Sequence, residues 1–179
     1  MAWKLQLINS MKDPELVISK NNLLTVIKDK YPKAEKHFLV LPNENIIGIN
    51  KLTKDHIELL RDMLLKGREI ARDLGEGRKF RYGFHAVPSL QRLHLHVISD
   101  DFNSPALKTA KHWNSFTTSF FLEAQNVIRD LENAGRVITP SKMECDRLLR
   151  TPLHCHKCEF KPKNMPNLKV HIVEHLNSS

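Results

Sequence analysis

The chain has 179 residues, of which 41% are hydrophobic and 27% are charged, and its formal net charge is +8. These values support one domain of medium size, or a domain of about 150 residues with a small appendage. They exclude a membrane-spanning helix, because no apolar run approaches the ~18 residues that a span needs. The first ten residues also lack the apolar stretch of a signal peptide, so we expect a soluble protein with no membrane partner.

The positive charge predicts an anionic partner, and nucleic acid is the first candidate. Only three cysteines occur, and two of them share a short motif with histidines. A disulfide framework is therefore not expected. We expect the protein to reside in a reducing compartment.

The first half of the chain contains two predicted strands and one predicted helix. The runs LLTVI (residues 23–27) and HFLVLP (residues 37–42) are typical of buried strands. Thr53 can cap a helix whose apolar residues follow helical spacing until Gly75.

The second half repeats that order. Residues 78–102 predict two extended pieces joined around Pro88, arranged as an antiparallel pair. A second helix is predicted from about Thr118 to Ala134, with Gly135 as its stop. The order strand, strand, helix, strand, strand, helix indicates an α+β fold and not a repeating βαβ fold.

The last section of the chain is predicted to form a separate unit. Ser141 and Glu144 have the spacing of a capping box, which predicts a short helix after residue 140. We therefore divide the chain into a main domain at residues 1–140 and a linker helix with a small module at residues 141–179.

That module carries a metal-binding pattern of the form C-x2-C-x12-H-x3-H. Two thiolates on a turn and two imidazoles one helical turn apart can converge on one tetrahedral Zn²⁺. A segment this short buries little surface by itself, so metal binding would supply much of its folding energy. The predicted ligands of this structural zinc are Cys155, Cys158, His171 and His175.

Two histidines one residue apart, in the stretch QRLHLHVISD, are the most informative feature of the main domain. On a strand, Arg92, His94 and His96 would share one face, with leucine and valine side chains on the other. Three hypotheses remain open from the residues alone. The pair binds a metal with His85, Asp100 or Asp101 as a third ligand, or it is structural, or one imidazole is a nucleophile that attacks phosphorus.

The sequence around this pair resembles a known family. PSLQRLHLHVISDDF is similar to the active-site strand of the histidine triad superfamily of nucleotide hydrolases and transferases, and VIKDKYPKAEKHFLVLP resembles its nucleoside-binding strands. With SPALKTAKHWNSF and the zinc module added, the chain from Trp3 onward is similar to the branch of that superfamily that removes adenylate from DNA. The resemblance implies a central antiparallel sheet with flanking helices.

The resemblance also implies roles for individual residues. His94 occupies the position of the nucleophile that forms a covalent nucleotidyl-histidine, and His96 that of the histidine that contacts the phosphate. Ser89 matches a serine at the reacting phosphate or leaving group, and His85 a candidate acid or phosphate contact. Nucleotide binding is expected from Asp29 on the ribose hydroxyls and from His37, Ser89 and His96.

A basic surface is expected to hold DNA. Lys33 and the segment around Trp113 match the DNA-facing surface of the family, and other lysines suit phosphate contacts. The full expected set is Lys33, Lys108, Lys111, Trp113, Lys157, Lys161 and Lys163.

Arg92 departs from the family pattern, because it stands where the first triad histidine is expected. A guanidinium is permanently charged and does not relay a proton, so that step must be absent or supplied by another group. Arg92 can salt-bridge a phosphate or hold the strand. Because His94 and His96 are retained, we expect activity to survive.

The function implied by the resemblance is hydrolysis of 5′-adenylated DNA, the product of abortive ligation, to AMP and a 5′-phosphate end. No catalytic metal is expected. We expect a monomeric protein that acts in the nucleus. One alternative is a hydrolase of small nucleoside phosphoramidates or dinucleoside polyphosphates. The other is a DNA-binding module whose site has decayed at Arg92.

Overall fold

The computed structural model describes residues 6–177, and a six-stranded antiparallel sheet forms its centre. The strands run in the spatial order β1-β2-β3-β5-β4-β6, and each neighbouring pair is antiparallel. The α+β prediction is confirmed. The strands are β1 (Val17–Lys20), β2 (Leu24–Lys28), β3 (His37–Pro42), β4 (Phe80–His85), β5 (Leu95–Ser99) and β6 (Phe121–Glu123).

Six α-helices surround the sheet within the described residues. None of the helices in residues 6–177 has both the length and the apolar character that crossing a membrane requires. The helices are α1 (Gln6–Ser10), α2 (Ile57–Leu74), α3 (Ala110–Thr117), α4 (Ala124–Ala134), α5 (Lys142–Leu149) and α6 (Met165–Asn177).

One face of the sheet packs against α2 and α4. Leu95 and Val97 of β5 lie on this face and are fully buried, in the same apolar cluster as residues of both helices. Gly67 allows α2 to approach closely, since a Cβ atom there would lie 2.9 Å from Val97 Cγ2. This layer fixes the strand that carries the paired histidines.

The opposite face packs against α3 and α6. Because side chains alternate along β5, His96 and Ile98 point to this face. Ile98 lies in one apolar cluster with Trp113 of α3 and Leu168 of α6, and all three are 0% exposed. Residues on both sides of the predicted boundary at position 140 thus share one core.

The predicted strands at 23–27 and 37–42 and the extended pair around Pro88 are confirmed, with small shifts in their ends. Thr53 forms a capping box with His56, at a 3₁₀ turn that leads into α2. The predicted capping of a short helix by Ser141 is also confirmed, since its side chain accepts a hydrogen bond from Glu144 N.

The prediction of a helix beginning at Thr118 is wrong. The helix begins at Ala124 and ends where predicted, at Gly135, whose φ of 70° is the left-handed conformation of a helix stop. Residues 121–123 form β6 instead, because they pair with β4 at Gly83–His85. Pairing with a strand some 40 residues earlier leaves no local sequence signal.

Candidate functional site

Four histidines from three adjacent strands converge on the α3 side of the sheet. His37 lies on β3, His85 ends β4, His96 lies on β5 and His94 directly precedes it. The ring centroids of His85 and His96 are 4.4 Å apart, and those of His94 and His96 are 4.8 Å apart. The strand order β3-β5-β4 brings them together, so the clustering is a product of the sheet.

Gly83 lets the neighbouring strand close over this cluster. It pairs with His96 of β5 on one side and with Glu123 of β6 on the other. A Cβ atom at position 83 would lie 2.5 Å from Leu122 O and 2.7 Å from the ring of Phe121. Only glycine therefore permits this approach without displacement of β6.

His94 is held in a single tautomer. Its Nδ1 lies 2.8 Å from the carbonyl oxygen of Arg92, and a carbonyl only accepts, so Nδ1 carries the proton. Burial lowers the pKa of His94, and 8% of the residue is exposed, so the imidazole is neutral near pH 7. Its Nε2 atom consequently carries a free lone pair.

A chain of hydrogen bonds sets the tautomer of His96. The Lys33 backbone N–H donates to His37 Nδ1 at 3.1 Å, which leaves the proton of His37 on Nε2. That N–H donates to His96 Nδ1 at 2.9 Å. Neutral His96 therefore carries its proton on Nε2, a buried atom without a partner among the described residues. His96 can donate to an anionic oxygen that enters the site.

His85 lies in an aromatic enclosure beside His96. Its ring centroid is 4.6 Å from that of Phe116 and 5.5 Å from that of Phe120. Burial, supported by the neighbouring His94, lowers the pKa of His85 to about 3, so the imidazole is neutral at physiological pH. Its buried Nε2 also has no partner within residues 6–177.

Asp29 and Lys33 flank the buried histidines on the loop after β2. The Asp29 carboxylate accepts the Tyr31 N–H at 2.8 Å, and its other oxygen lies 3.6 Å from His37 Nε2. Burial lowers the pKa of the Lys33 ammonium, which hydrogen-bonds to the Tyr31 carbonyl. Both charged groups are half-buried beside the site.

A cleft leads to His94. Gly48, Ile49 and Pro88 line it together with His85 and His94. Ser89, the next residue after Pro88, is exposed on the turn that leads to β5.

The expectation that Arg92 shares the histidine face of a strand is wrong. Arg92 precedes β5, and its φ of 99° turns the chain away from strand geometry. Its Nη2 atom donates to the carbonyl oxygens of Pro42 and Asn43 at 3.1 and 2.8 Å. The Nη2 atom of Arg92 thus binds backbone carbonyls, and the residue also lines the cleft that contains His94.

Both acidic candidates for a metal at the histidine pair have partners elsewhere. Asp100 is paired with Arg81 at 2.6 Å, and Asp101 accepts the backbone N–H of Glu35 at 2.9 Å. Asp29, His37 and His96 bring ligand atoms within 4.8 Å of one another. However, both ring nitrogens of His37 are already used in hydrogen bonds.

The expectation that Trp113 lies on a DNA-facing surface is also wrong. The residue is 0% exposed, and its indole Nε1–H donates to His154 O at 3.2 Å. Trp113 is large enough to anchor the C-terminal module to α3, which explains its burial. The five lysines at positions 108, 111, 157, 161 and 163 are exposed.

Phe116 and His156 are two contact residues that the sequence interpretation missed. Phe116 lies edge-on to the rings of His37 and His96, at 5.5 and 5.2 Å. The His156 Nε2–H donates to Asp100 O at 2.8 Å, directly after β5. The helical spacing within HWNSF could have indicated Phe116, whereas no local signal indicated His156.

The four predicted zinc ligands converge at the start and in the helix of the C-terminal module. Cys155 Sγ lies 3.4 Å from His175 Nε2, and Cys158 Sγ lies 3.1 Å from His171 Nε2. All four ligand atoms lie within 4.8 Å of one another. These separations and the S₂N₂ donor set fit one tetrahedral Zn²⁺. When bound, the ion would hold the turn at residues 155–158 against α6.

Glu174 completes this centre from outside. Its carboxylate lies 3.3 Å from His171 Nδ1, the nitrogen that does not face the other ligands. A carboxylate at this position fixes the tautomer that leaves Nε2 free for the metal.

Comparison with known proteins gives separate matches for the main domain and for the zinc module. A family model described as "Scavenger mRNA decapping enzyme C-term binding" matches residues 2–112, and one described as "C2HE / C2H2 / C2HC zinc-binding finger" matches residues 117–178. The sheet, its histidine cluster and the metal centre define a histidine triad domain joined to a zinc finger. The aprataxin-like protein of Saccharomyces cerevisiae is 30% identical over 215 residues, which cover 99% of this chain and 98% of that protein. The chain belongs to the aprataxin family.

Animal relatives are more similar but longer. The aprataxin of Ciona intestinalis is 46% identical over 173 residues, which cover 95% of this chain and 45% of that protein. The aprataxin of Danio rerio is 45% identical over 178 residues, which cover 98% of this chain and 54% of that protein. The chain thus spans about half the length of these relatives.

Solved structures share the fold. The aprataxin ortholog Hnt3 from Schizosaccharomyces pombe superposes with a TM-score of 0.73 at 23% identity, covering 96% of this chain and 90% of that one. A structure described as Hnt3 in complex with DNA and guanosine gives a TM-score of 0.74 at 22% identity, covering 97% and 95%.

Proposed function

We propose that this protein removes AMP from the adenylated 5′ end of DNA through a covalent adenylyl-histidine on His94. The observation that carries the proposal is the pair of fixed tautomers. His94, which lines a cleft, carries a lone pair on Nε2, and His96, whose ring centroid lies 4.8 Å from that of His94, carries an N–H. A nucleophile next to a hydrogen-bond donor suits attack on a phosphorus whose oxygens become more negative.

In the first step, His94 Nε2 attacks the phosphorus of the adenylate. The N–P bond forms while the bond from that phosphorus to the bridging oxygen breaks, and the DNA leaves with a 5′-phosphate. The imidazole becomes a cation that keeps its Nδ1 proton, and the Arg92 carbonyl at 2.8 Å stabilises this proton. His96 Nε2–H would donate to a non-bridging oxygen of the transferring phosphate.

In the second step, water attacks the same phosphorus and the N–P bond breaks. The electron pair of that bond returns to His94 Nε2, which restores the neutral imidazole, and the proton of the water passes to solvent. AMP is released. This route needs no catalytic metal, because histidine attacks in its neutral form near pH 7.

Other residues complete the proposed substrate site. Asp29, half-buried on the loop after β2, would bind the ribose hydroxyls, and His37 would support His96 from behind. His85, neutral at the end of β4, would contact the phosphate or the leaving group, and the exposed Ser89 would approach it from the turn.

DNA as the substrate is supported by charge and by relatives. The formal charge is +8, and one structure with this fold is described as a complex with DNA and guanosine. Burial lowers the pKa of His112 on α3, the helix that covers the histidines, and the nearby positive charges of Lys33, Lys111 and Lys108 lower it further. We propose that this basic edge and the exposed lysines of the zinc finger bind the duplex, and that a monomer acts in the nucleus.

The test is to mix the protein with adenylated DNA, quench rapidly, and search for AMP by peptide mass spectrometry. The expected result is AMP on His94 and release of 5′-phosphate DNA. His94→Ala should abolish AMP release while DNA affinity is unchanged, and Lys51→Ala, at an exposed residue outside the site, should behave as wild type.

Two results would redirect the proposal. Faster turnover of an AMP amide than of adenylated DNA would indicate a small-molecule hydrolase. DNA binding without AMP release by the wild-type protein would indicate a binding module that has lost catalysis.

A further inference from the structure

Arg92, at the first triad position, has a backbone φ of 99°. Residues with a side chain rarely adopt this region, and such a conformation persists only where surrounding contacts enforce it. The contacts around Arg92 are of two kinds, one made by the guanidinium and one by the backbone.

The guanidinium contacts hold the last residue of β3 and the two residues that follow it. A single atom, Nη2, donates to Pro42 O at 3.1 Å and Asn43 O at 2.8 Å, and Glu44 O lies 3.5 Å away. Hydrogen bonds from a charged donor to backbone carbonyls are stronger than neutral ones. The side chain of Arg92 therefore fixes where residues 42–44 lie.

The backbone contacts link the same segment to the nucleophile. Arg92 N–H donates to Ile47 O at 2.9 Å, and Leu93 N–H donates to Ile46 O at 2.7 Å. The peptide group that supplies the Leu93 N–H also supplies the Arg92 carbonyl, which accepts from His94 Nδ1 at 2.8 Å. Because a peptide group is planar, an anchor on its N–H fixes the direction of its C=O.

We propose that Arg92 is a positioning residue: its guanidinium anchors segment 42–47, which fixes the Arg92–Leu93 peptide that orients the His94 imidazole. At the position of the first triad histidine, the arginine thus positions the backbone and does not relay a proton. The catalytic consequence rests on the proposed role of His94, whereas the effect on the His94 tautomer does not.

The direct test is the tautomer of His94, measured by long-range ¹H–¹⁵N NMR without substrate. Wild type should show the Nδ1–H form alone. Arg92→Met, which keeps an unbranched side chain but has no donor, should show a mixture of both tautomers and faster hydrogen exchange at the Leu93 amide. Arg92→Lys should restore the wild-type spectrum, because one ammonium can reach the same carbonyls. Arg136→Met, at an exposed arginine, is the matched control.

Arg92→Gly covers the case in which Arg92→Met does not fold. Glycine adopts φ near 99° without strain and removes the guanidinium, so it should shift the tautomer at a smaller loss of stability. In single-turnover reactions with adenylated DNA, Met and Gly variants should transfer AMP more slowly by on the order of 10²-fold, with DNA affinity unchanged.

A His94 that stays fully in the Nδ1–H form in both the Met and Gly variants would overturn this inference. Failure of the proposed function gives a different pattern, in which the tautomer shifts as expected but wild-type protein never releases AMP.

Discussion

His37 Nε2 and His96 Nδ1 form a hydrogen bond of 2.9 Å between neighbouring strands, and both side chains are buried. Since His37 Nδ1 accepts a hydrogen bond from the Lys33 backbone N–H, the direction of the bond is fixed. The buried histidine thereby determines which nitrogen of His96 can donate to a substrate. This dependence makes His37 a residue that acts through His96.

We expect His37→Phe to slow AMP transfer while DNA affinity changes little. Without the donor from His37, His96 can place its proton on Nδ1 and turn a lone pair toward the phosphate oxygens. Loss of one donor to a developing anion costs on the order of 10²-fold to 10³-fold in rate. Single-turnover kinetics and the NMR tautomer of His96 check this, and a rate equal to wild type would contradict it. His154→Asn, an exposed histidine, is the control.

The buried histidines also predict loss of stability in acid. Burial lowers the pKa of His37 to about 4 and that of His85 to about 3, whereas an unfolded histidine titrates near 6.5. The unfolded chain therefore binds more protons between these values, and the free energy of unfolding falls as pH drops from about 6.5 toward about 4. For His37 the loss is about 3 kcal/mol.

Thermal unfolding as a function of pH measures this effect. His85→Phe, which places another aromatic ring beside Phe116 and Phe120, should flatten the dependence below pH 6.5. His154→Asn should leave it unchanged, since that residue is exposed. An equal slope for wild type and His85→Phe would show that His85 does not contribute.

Zinc should hold the finger against the main domain. We expect one zinc per chain, and Cys158→Ala should lose it because one thiolate ligand is removed. Trp113, whose indole binds His154 O, should then become exposed and its fluorescence should shift to the red in a Trp3→Phe background. Elemental analysis and fluorescence give the two readouts. Cys145→Ala, a buried cysteine outside the centre, should keep its zinc.

Trp113 and Lys111 lie on the same helix and should separate stability from DNA binding. Trp113→Phe removes a buried hydrogen bond and part of a core side chain, so it should lower the free energy of unfolding by about 1–3 kcal/mol. The salt dependence of DNA affinity should be unchanged. Urea unfolding measures the first effect. A loss of DNA binding in a fully folded variant would show that Trp113 does contribute to the DNA interface.

Lys111→Ala should give the opposite result. Its side chain is exposed, so stability should hold, while the slope of log affinity against log salt should flatten by about 0.9 if Lys111 neutralises one phosphate. Lys51→Ala, exposed outside the proposed surface, is the charge-matched control. An unchanged slope for Lys111→Ala would remove it from the DNA surface.

The sequence by itself determined features that depend on local spacing. The metal pattern needs only a turn and one helical repeat to bring Cys155, Cys158, His171 and His175 together, and the structure brings them together. The buried strands and the helix that ends before Gly75 follow from apolar periodicity in the same way. The paired histidines could be recognised from the sequence because the residues of their motif are contiguous in the chain.

The tertiary structure decided what depends on distant residues. The sequence did not determine whether Trp113 is exposed or buried, because its burial depends on packing against the finger. Strand β6 forms only because β4 lies beside it. The place of Arg92 was decided by the carbonyls at residues 42–44, some 50 positions earlier. Hydrogen bonds between segments far apart in sequence produce no periodic pattern of residues. The orientation of His94, which we propose these bonds set, therefore could not be predicted from the sequence.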